Sequence, residues 1–307
     1  MFRFLPFVLA LASPPEPANL AIVGGTLIDG HGGPPVHGAT VLIGGRHIVA
    51  VGRQEAVKPP PGAEVIDATG MTILPGLIDV HVHLDILGHA DYRHWHESYR
   101  NRYPEIMAIA ARQLVSNGVT TVADLCGDPD SLRTTIERIE SGDIPGPRVR
   151  ASMGWIMNWP EDELARHHRR LQLSNVHTVE EARQAARRAV DQGATILKVH
   201  TGLTREQLQA ISEEARANGL KVTGHVGDRE DLLMRLDAGQ NGIEHLYLGG
   251  PAETPSIHSE VIQKIVDRGA YVIPTNIQTM IQERAVEWPG WKDNPRARRL
   301  TPADIWS

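Results

Sequence analysis

Residues 71–85 read MTILPGLIDVHVHLD. A β-branched and aliphatic run passes through the Pro75-Gly76 break into Leu77-Ile78-Asp79-Val80 and ends on two histidines separated by one valine. Side chains alternate faces along a strand with a period of two, so His81 and His83 point to the same side. Two imidazoles side by side at a strand's end can bind one metal ion. Half-buried histidines with no ligand are the competing reading.

Ahead of this stretch, residues 19–75 read as short strands cut by glycine and proline: Leu20 to Val23, Thr40 to Ile43, His47 to Val51 and Glu64 to Ile66. They carry no helical periodicity, which predicts a small all-β unit. Behind the stretch the pattern changes and repeats, as an amphipathic helix, a glycine near its end, then a short apolar strand. Glu105 to Ser116 leads through Gly118 to Val119-Thr120-Thr121-Val122, and Ser131 to Glu140 through Gly142 to Arg148-Val149-Arg150-Ala151. Val179 to Asp191 opens with Thr178 and Glu181 at capping-box spacing and leads to Ile196-Leu197-Lys198-Val199. Thr204 and Gln207 repeat that spacing ahead of Leu220-Lys221-Val222-Thr223. Gly242 to His245 and Ala270 to Ile273 read as two more strands.

Counted from the His-x-His strand, this makes seven strands, and a (β/α)8 barrel is the α/β architecture that closes them. Such barrels place the active site where strands meet their following loops. His81 and His83 close the first strand, Lys198 the fourth, His225 the fifth and His245 the sixth. One histidine at a strand end is an ordinary polar residue, but four of them and a lysine on one rim are poorly explained by chance.

The Pro-Gly-Leu-Ile-Asp lead-in to His81-Val82-His83, with Lys198, His225 and the Ile243-Glu244-His245 setting in order, resembles the metal-dependent amidohydrolase superfamily. That resemblance implies a TIM-barrel-type domain over residues 76–307 and, over 19–75, the first part of a β-sandwich assembled from both ends of the chain. It implies that His81 and His83 bind the more buried of two metal ions, that His225 and His245 bind the more exposed one, and that a carboxylated Lys198 bridges them. The chemistry is consistent, since an ammonium repels a cation whereas a carbamate offers an anionic oxygen to each ion. A lysine snorkelling outward from its strand is the alternative. The family also carries an eighth-strand aspartate that shuttles protons. No apolar eighth strand is visible in residues 288–307, and Asp304 is left unassigned. The expectation is therefore that the sequence is a piece of a longer protein whose continuation supplies that aspartate and further β-strands.

Imidazole and carboxylate-like ligands suit Zn2+, with Mn2+ or Fe2+ as alternatives. The function implied is hydrolysis of a C–N amide-type bond in a small molecule, a peptide or N-acyl amino acid, with metal-bound hydroxide as nucleophile. A mononuclear deaminase or cyclic-imide hydrolase, in which Lys198 is only structural, is one competitor. A non-catalytic metal-binding remnant is the other. His200 shares the face of Lys198 and is a candidate for contacting substrate. His89, His94 and His96 are expected in the loop after the first strand, and Asp124 and Tyr247 at strand ends, while His167-His168 reads as an exposed polar pair.

Composition excludes other classes. The formal net charge of −6 offers no basic stripe for nucleic acid. The single cysteine, Cys126, excludes an internal disulfide and a cysteine-based zinc site, and reads as a small core residue. No Gly-x-Ser-x-Gly or phosphate-binding glycine loop occurs. Residues 1–12, with one arginine, an apolar run and Ala10-Leu11-Ala12, read as a signal peptide, which predicts a periplasmic or secreted protein. That run is too short to span a bilayer, and no other stretch approaches membrane length.

Overall fold

A computed structural model describes residues 16–87, 92–162, 164, 173–245, 259–275 and 295–306. The expected signal segment, His89, His167-His168 and Tyr247 lie outside the described residues. The chain divides into two compact units, Met1–Gly76 and Leu77–Ser307.

Among the described residues of the smaller unit the regular elements are all strands: β1 (Leu20–Leu27), β2 (Val36–Gly44), β3 (His47–Arg53), β4 (Glu64–Asp67) and β5 (Thr72–Ile73). They form one sheet in the order β3-β2-β1-β4, with β5 also paired to β1. Gly45, at φ 55°, turns β2 into β3, a left-handed conformation that costs a glycine nothing. Leu27, Ala39 and Val41 are the buried centre of the unit. The sequence pattern misses β5 because two residues, Thr72 and Ile73 opposite Thr26 and Leu27, are too few to show alternation.

The larger unit alternates strand and helix. In chain order it holds β6 (Leu77–Val82), α1 (Tyr92–Tyr99), α2 (Tyr103–Ser116), β7 (Val119–Asp124), α3 (Pro129–Glu140), β8 (Arg148–Ala151), β9 (Trp155–Met157) and β10 (Leu173–Asn175). It continues through α4 (Val179–Asp191), β11 (Leu197–Val199), α5 (Arg205–Ala217), β12 (Val222–Gly224), α6 (Arg229–Asp237) and β13 (Gly242–Glu244). The last described elements are α7 (Ser259–Asp267), β14 (Tyr271–Ile273), α8 (Pro295–Leu300) and α9 (Ala303–Trp306).

These strands form two parallel sheets, β6-β7-β8 and β10-β9-β11-β12-β13-β14. The expected third strand is broken in two. Met153 and Gly154, at φ 56° and 103°, separate β8 from β9. Backbone bonds hold the pieces in line: Thr195 N–H donates to Ala151 O (2.8 Å), and His200 N–H to Ile156 O (2.8 Å). The strand order 1 to 7 thus runs β6, β7, β8/β9, β11, β12, β13, β14, the parallel α/β arrangement of a barrel-type fold.

Local chemistry explains the helices around it. Thr178 and Glu181 complete a capping box on α4, and Thr204 and Gln207 another on α5. Ala182, Ala185, Ala186 and Ala189 give α4 a stripe of small buried residues at helical spacing. On α5 the stripe is Leu208, Ile211 and Ala215, and burying each of the two larger side chains contributes about 1.5–3 kcal/mol.

Candidate metal centre

Parallel strands end on one rim, and the histidines sit where these strands end. His81 lies within β6 and His83 just past it; Lys198 is the middle residue of β11, and His200, His225 and His245 each follow directly on β11, β12 and β13. The rings of His81 and His83 lie 5.1 Å apart, those of His81 and His245 4.5 Å, those of His225 and His245 4.8 Å, and those of His200 and His225 3.9 Å. The Trp155 indole flanks this group, 5.1 Å from His200 and 5.9 Å from His225. The structure therefore gathers His81, His83, His225, His245 and His200 into one cluster.

Burial dominates the electrostatics. It pushes His83 and His225 well below the usual imidazole range, reinforced for His83 by His81 and Lys198 and for His225 by Lys198 and His200. His245 is held down to about 4, again mainly by burial. Lys198 is 1 % exposed, so it does not snorkel outward. Burial lowers its amine to about 8, against an opposing pull from Glu244.

Among the described residues, three buried nitrogens, His81 Nε2, His225 Nδ1 and Lys198 Nζ, have no hydrogen-bond partner. Leaving each such group unsatisfied costs about 1–3 kcal/mol. Their convergence on one rim is what a cation or an anionic adduct would relieve. Among the described residues no group of three or more His, Cys, Asp or Glu stands in metal-holding geometry. The donor set fits a metal all the same: burial holds the rings of His83, His225 and His245 below the usual imidazole range, buried nitrogens lack partners among the described residues, and no thiolate competes, since burial raises the Cys126 thiol. His81, His83, His225, His245 and Lys198 are the residues that could hold it.

Neighbouring polar groups fix this rim. The Glu244 carboxylate, fully buried, accepts from His81 Nδ1 (2.6 Å) and from the Thr223 hydroxyl. Burial pushes Glu244 up, but the His81 bond, Lys198 and Thr223 outweigh it and hold the carboxyl below its ordinary range. His245 Nδ1 lies 2.6 Å from Thr275 Oγ1. The loop after β12 is tied down by Asp231, which accepts from Gly227 N–H (2.7 Å) and from the buried Arg235 (2.6 Å). Asp124, at the end of β7 as expected, accepts from the backbone N–H groups of Leu84, Cys126 and Gly127 at 2.7, 3.0 and 2.7 Å, and so shapes the chain next to His83.

One expectation changes. His94 and His96 belong to the helix α1, not to a loop; their contacts include Trp95, Tyr99 and Tyr103, whose hydroxyl is 3.3 Å from His96 Nδ1. Asp304 lies in α9 and pairs with Arg102 (2.7 Å) on the surface. Sequence reasoning assigns no part to Thr223, Thr275 or Trp155. Glu244 offers one signal, an acidic residue in a strand that is otherwise Gly-Ile.

Comparison with known proteins bears on this rim. The profile of the amidohydrolase family matches residues 72–304. The N-acyl-D-aspartate deacylase of Alcaligenes xylosoxydans xylosoxydans is 40% identical over 108 residues, which cover 35% of this chain and 18% of that enzyme. The ochratoxinase of Aspergillus niger is 26% identical over 277 residues, 78% of this chain and 56% of its own length. A solved molinate hydrolase superposes with a TM-score of 0.69 at 25% identity, covering 84% of this chain and 63% of that one. The chain thus spans about half or less of the curated relatives it matches. With the match running from β5 to α9, across every strand that carries a histidine of the rim, this chain belongs to the amidohydrolase family.

Proposed function

We propose that this chain carries the metal centre of a hydrolase that cleaves a C–N amide-type bond, with a peptide or an N-acyl amino acid as the favoured substrate. The observation that carries the reading is the rim of clustered histidines at the strand ends beside a buried lysine whose Nζ has no hydrogen-bond partner among the described residues. The names of the relatives, a deacylase of N-acyl-D-aspartate and an ochratoxinase, support the substrate class.

In this reading His81 and His83 would hold one divalent ion, His225 and His245 would hold a second, and Lys198 would serve as a shared ligand. Lys198 can do so once its neutral Nζ has added to the carbon of carbon dioxide and released a proton, giving an anionic carbamate. Bound ions, Zn2+ with Mn2+ or Fe2+ as alternatives, would supply Lewis acidity toward the scissile carbonyl and lower the pKa of water to about 7. Trp155, 5.1 Å from His200, would form one wall of the site, and His200, its ring 3.9 Å from that of His225, would contact the substrate. The amino-terminal sequence supports export, so the working compartment is periplasmic or extracellular.

The test is to strip the chain with a chelator, reload it with Zn2+ or Mn2+, and assay a panel of dipeptides and N-acyl amino acids. Hydrolysis that disappears on stripping and returns on reloading is expected. Hydrolysis unaffected by complete metal removal, or none across the panel with metal bound, would overturn the reading.

A further inference from the structure

Two histidines of the rim have their Nδ1 atoms held by partners whose chemistry leaves one choice of tautomer. His81 Nδ1 is 2.6 Å from Glu244 Oε2, and both side chains are buried. A carboxylate accepts, and the other oxygen of Glu244 already accepts from the Thr223 hydroxyl, so the short contact places the proton on Nδ1. His245 Nδ1 is 2.6 Å from Thr275 Oγ1. That hydroxyl spends its own proton on Pro274 O, 2.8 Å away, so it too accepts from the ring. In both cases the lone pair is left on Nε2, and His81 Nε2 is buried without a hydrogen-bond partner among the described residues.

The backbone shows a local cost for this arrangement. His245 and Thr275 stand at φ 54° and 50°, the left-handed region, which is unfavourable for a β-branched residue. Such strain persists where the surroundings enforce it, typically at functional sites. Here it brings the ends of β13 and β14 together so that Thr275 reaches His245. Thr223, from β12, donates to the other oxygen of Glu244 and fixes the carboxylate.

We infer that Glu244 and Thr275 are positioning residues that lock His81 and His245 as Nδ1–H tautomers, so that each presents Nε2 to the metal centre. This rests on the metal-centre reading above and extends it to residues that would not themselves touch a metal. The two devices differ in strength. A carboxylate acceptor raises the basicity of its imidazole more than a hydroxyl does, so Glu244 has the larger effect.

The test compares metal binding by the full chain with that of Glu244→Gln, Thr275→Val and Thr275→Ser, by calorimetric titration of Zn2+ into stripped protein and by the visible spectrum of the Co2+-loaded forms. Loss of such an outer partner typically weakens metal affinity about 10- to 100-fold. Glu244→Gln should fall in that range for one ion. Thr275→Val should weaken binding less, with a shifted Co2+ spectrum, and Thr275→Ser should restore both. Parent-like titrations and spectra for both Glu244→Gln and Thr275→Val overturn the inference and leave the metal centre standing; a parent chain that binds no metal overturns both. Should a variant fail to fold, long-range 1H–15N spectra of the unsubstituted metal-free chain decide: protonated Nδ1 on His81 and His245 supports the inference, and protonated Nε2 contradicts it.

Discussion

The helix pair α4 and α5 and the strand-end rim beside it treat polar groups in opposite ways. On the helices polar groups find partners at the ends and on the outer faces: both amino termini close a capping box, Arg183 pairs with Glu213 (2.9 Å), and Arg187 with Glu214 (3.0 Å), the buried Ser212 hydroxyl of α5 being an exception among the described residues. On the rim, His81 Nε2, His225 Nδ1 and Lys198 Nζ are buried without a hydrogen-bond partner among the described residues. Local preference, pattern and packing agree in the first region. In the second they conflict, and such conflicts mark the places where a fold gives up stability for function.

That contrast can be broken in order of size. Leu208→Ala, in the packed face of α5, removes a fully buried side chain and should cost about 2–5 kcal/mol in a denaturant melt. The fraction that remains folded should keep the parent's metal content, and a loss of metal in proportion would merge the two regions. Lys198→Met acts in reverse. It removes a buried amine without a partner, so the metal-free chain should gain about 1–3 kcal/mol while losing metal. A destabilised metal-free variant would show that Lys198 has a structural partner. Thr178→Ala and Thr204→Ala each open a capping box and should cost about 1 kcal/mol, read as a lower thermal midpoint with unchanged metal stoichiometry. Arg183→Ala, which breaks an exposed pair, should leave the melting curve unmoved within error.

The same division runs through what can be read from the sequence. Capping boxes at Thr178 and Thr204, and the apolar stripes behind them, fix α4 and α5 nearly to the residue, because local and tertiary demands coincide there. The strand ends holding Lys198, His225 and His245 are visible for the same reason, as short apolar runs after a glycine. The break between β8 and β9 is not, since a methionine in the left-handed region violates the preference a reader relies on. Helix α1 is hidden in a stretch rich in histidine and aromatic residues, which suggests loop chemistry. Thr275 shows nothing in sequence, because its contact with His245 spans 30 positions and depends on strand order alone. Glu244 stands in plain sight, but its bond to His81 crosses 163 positions and appears only once β6 and β13 share a rim.

The most direct test of the metal centre is elemental analysis of the full chain, purified without chelator from medium supplemented with zinc or manganese, beside Lys198→Ala. The expected result is two divalent ions per chain, falling to one or none in the variant. A chain free of transition metal, or a variant that keeps both ions, would contradict the reading of the rim.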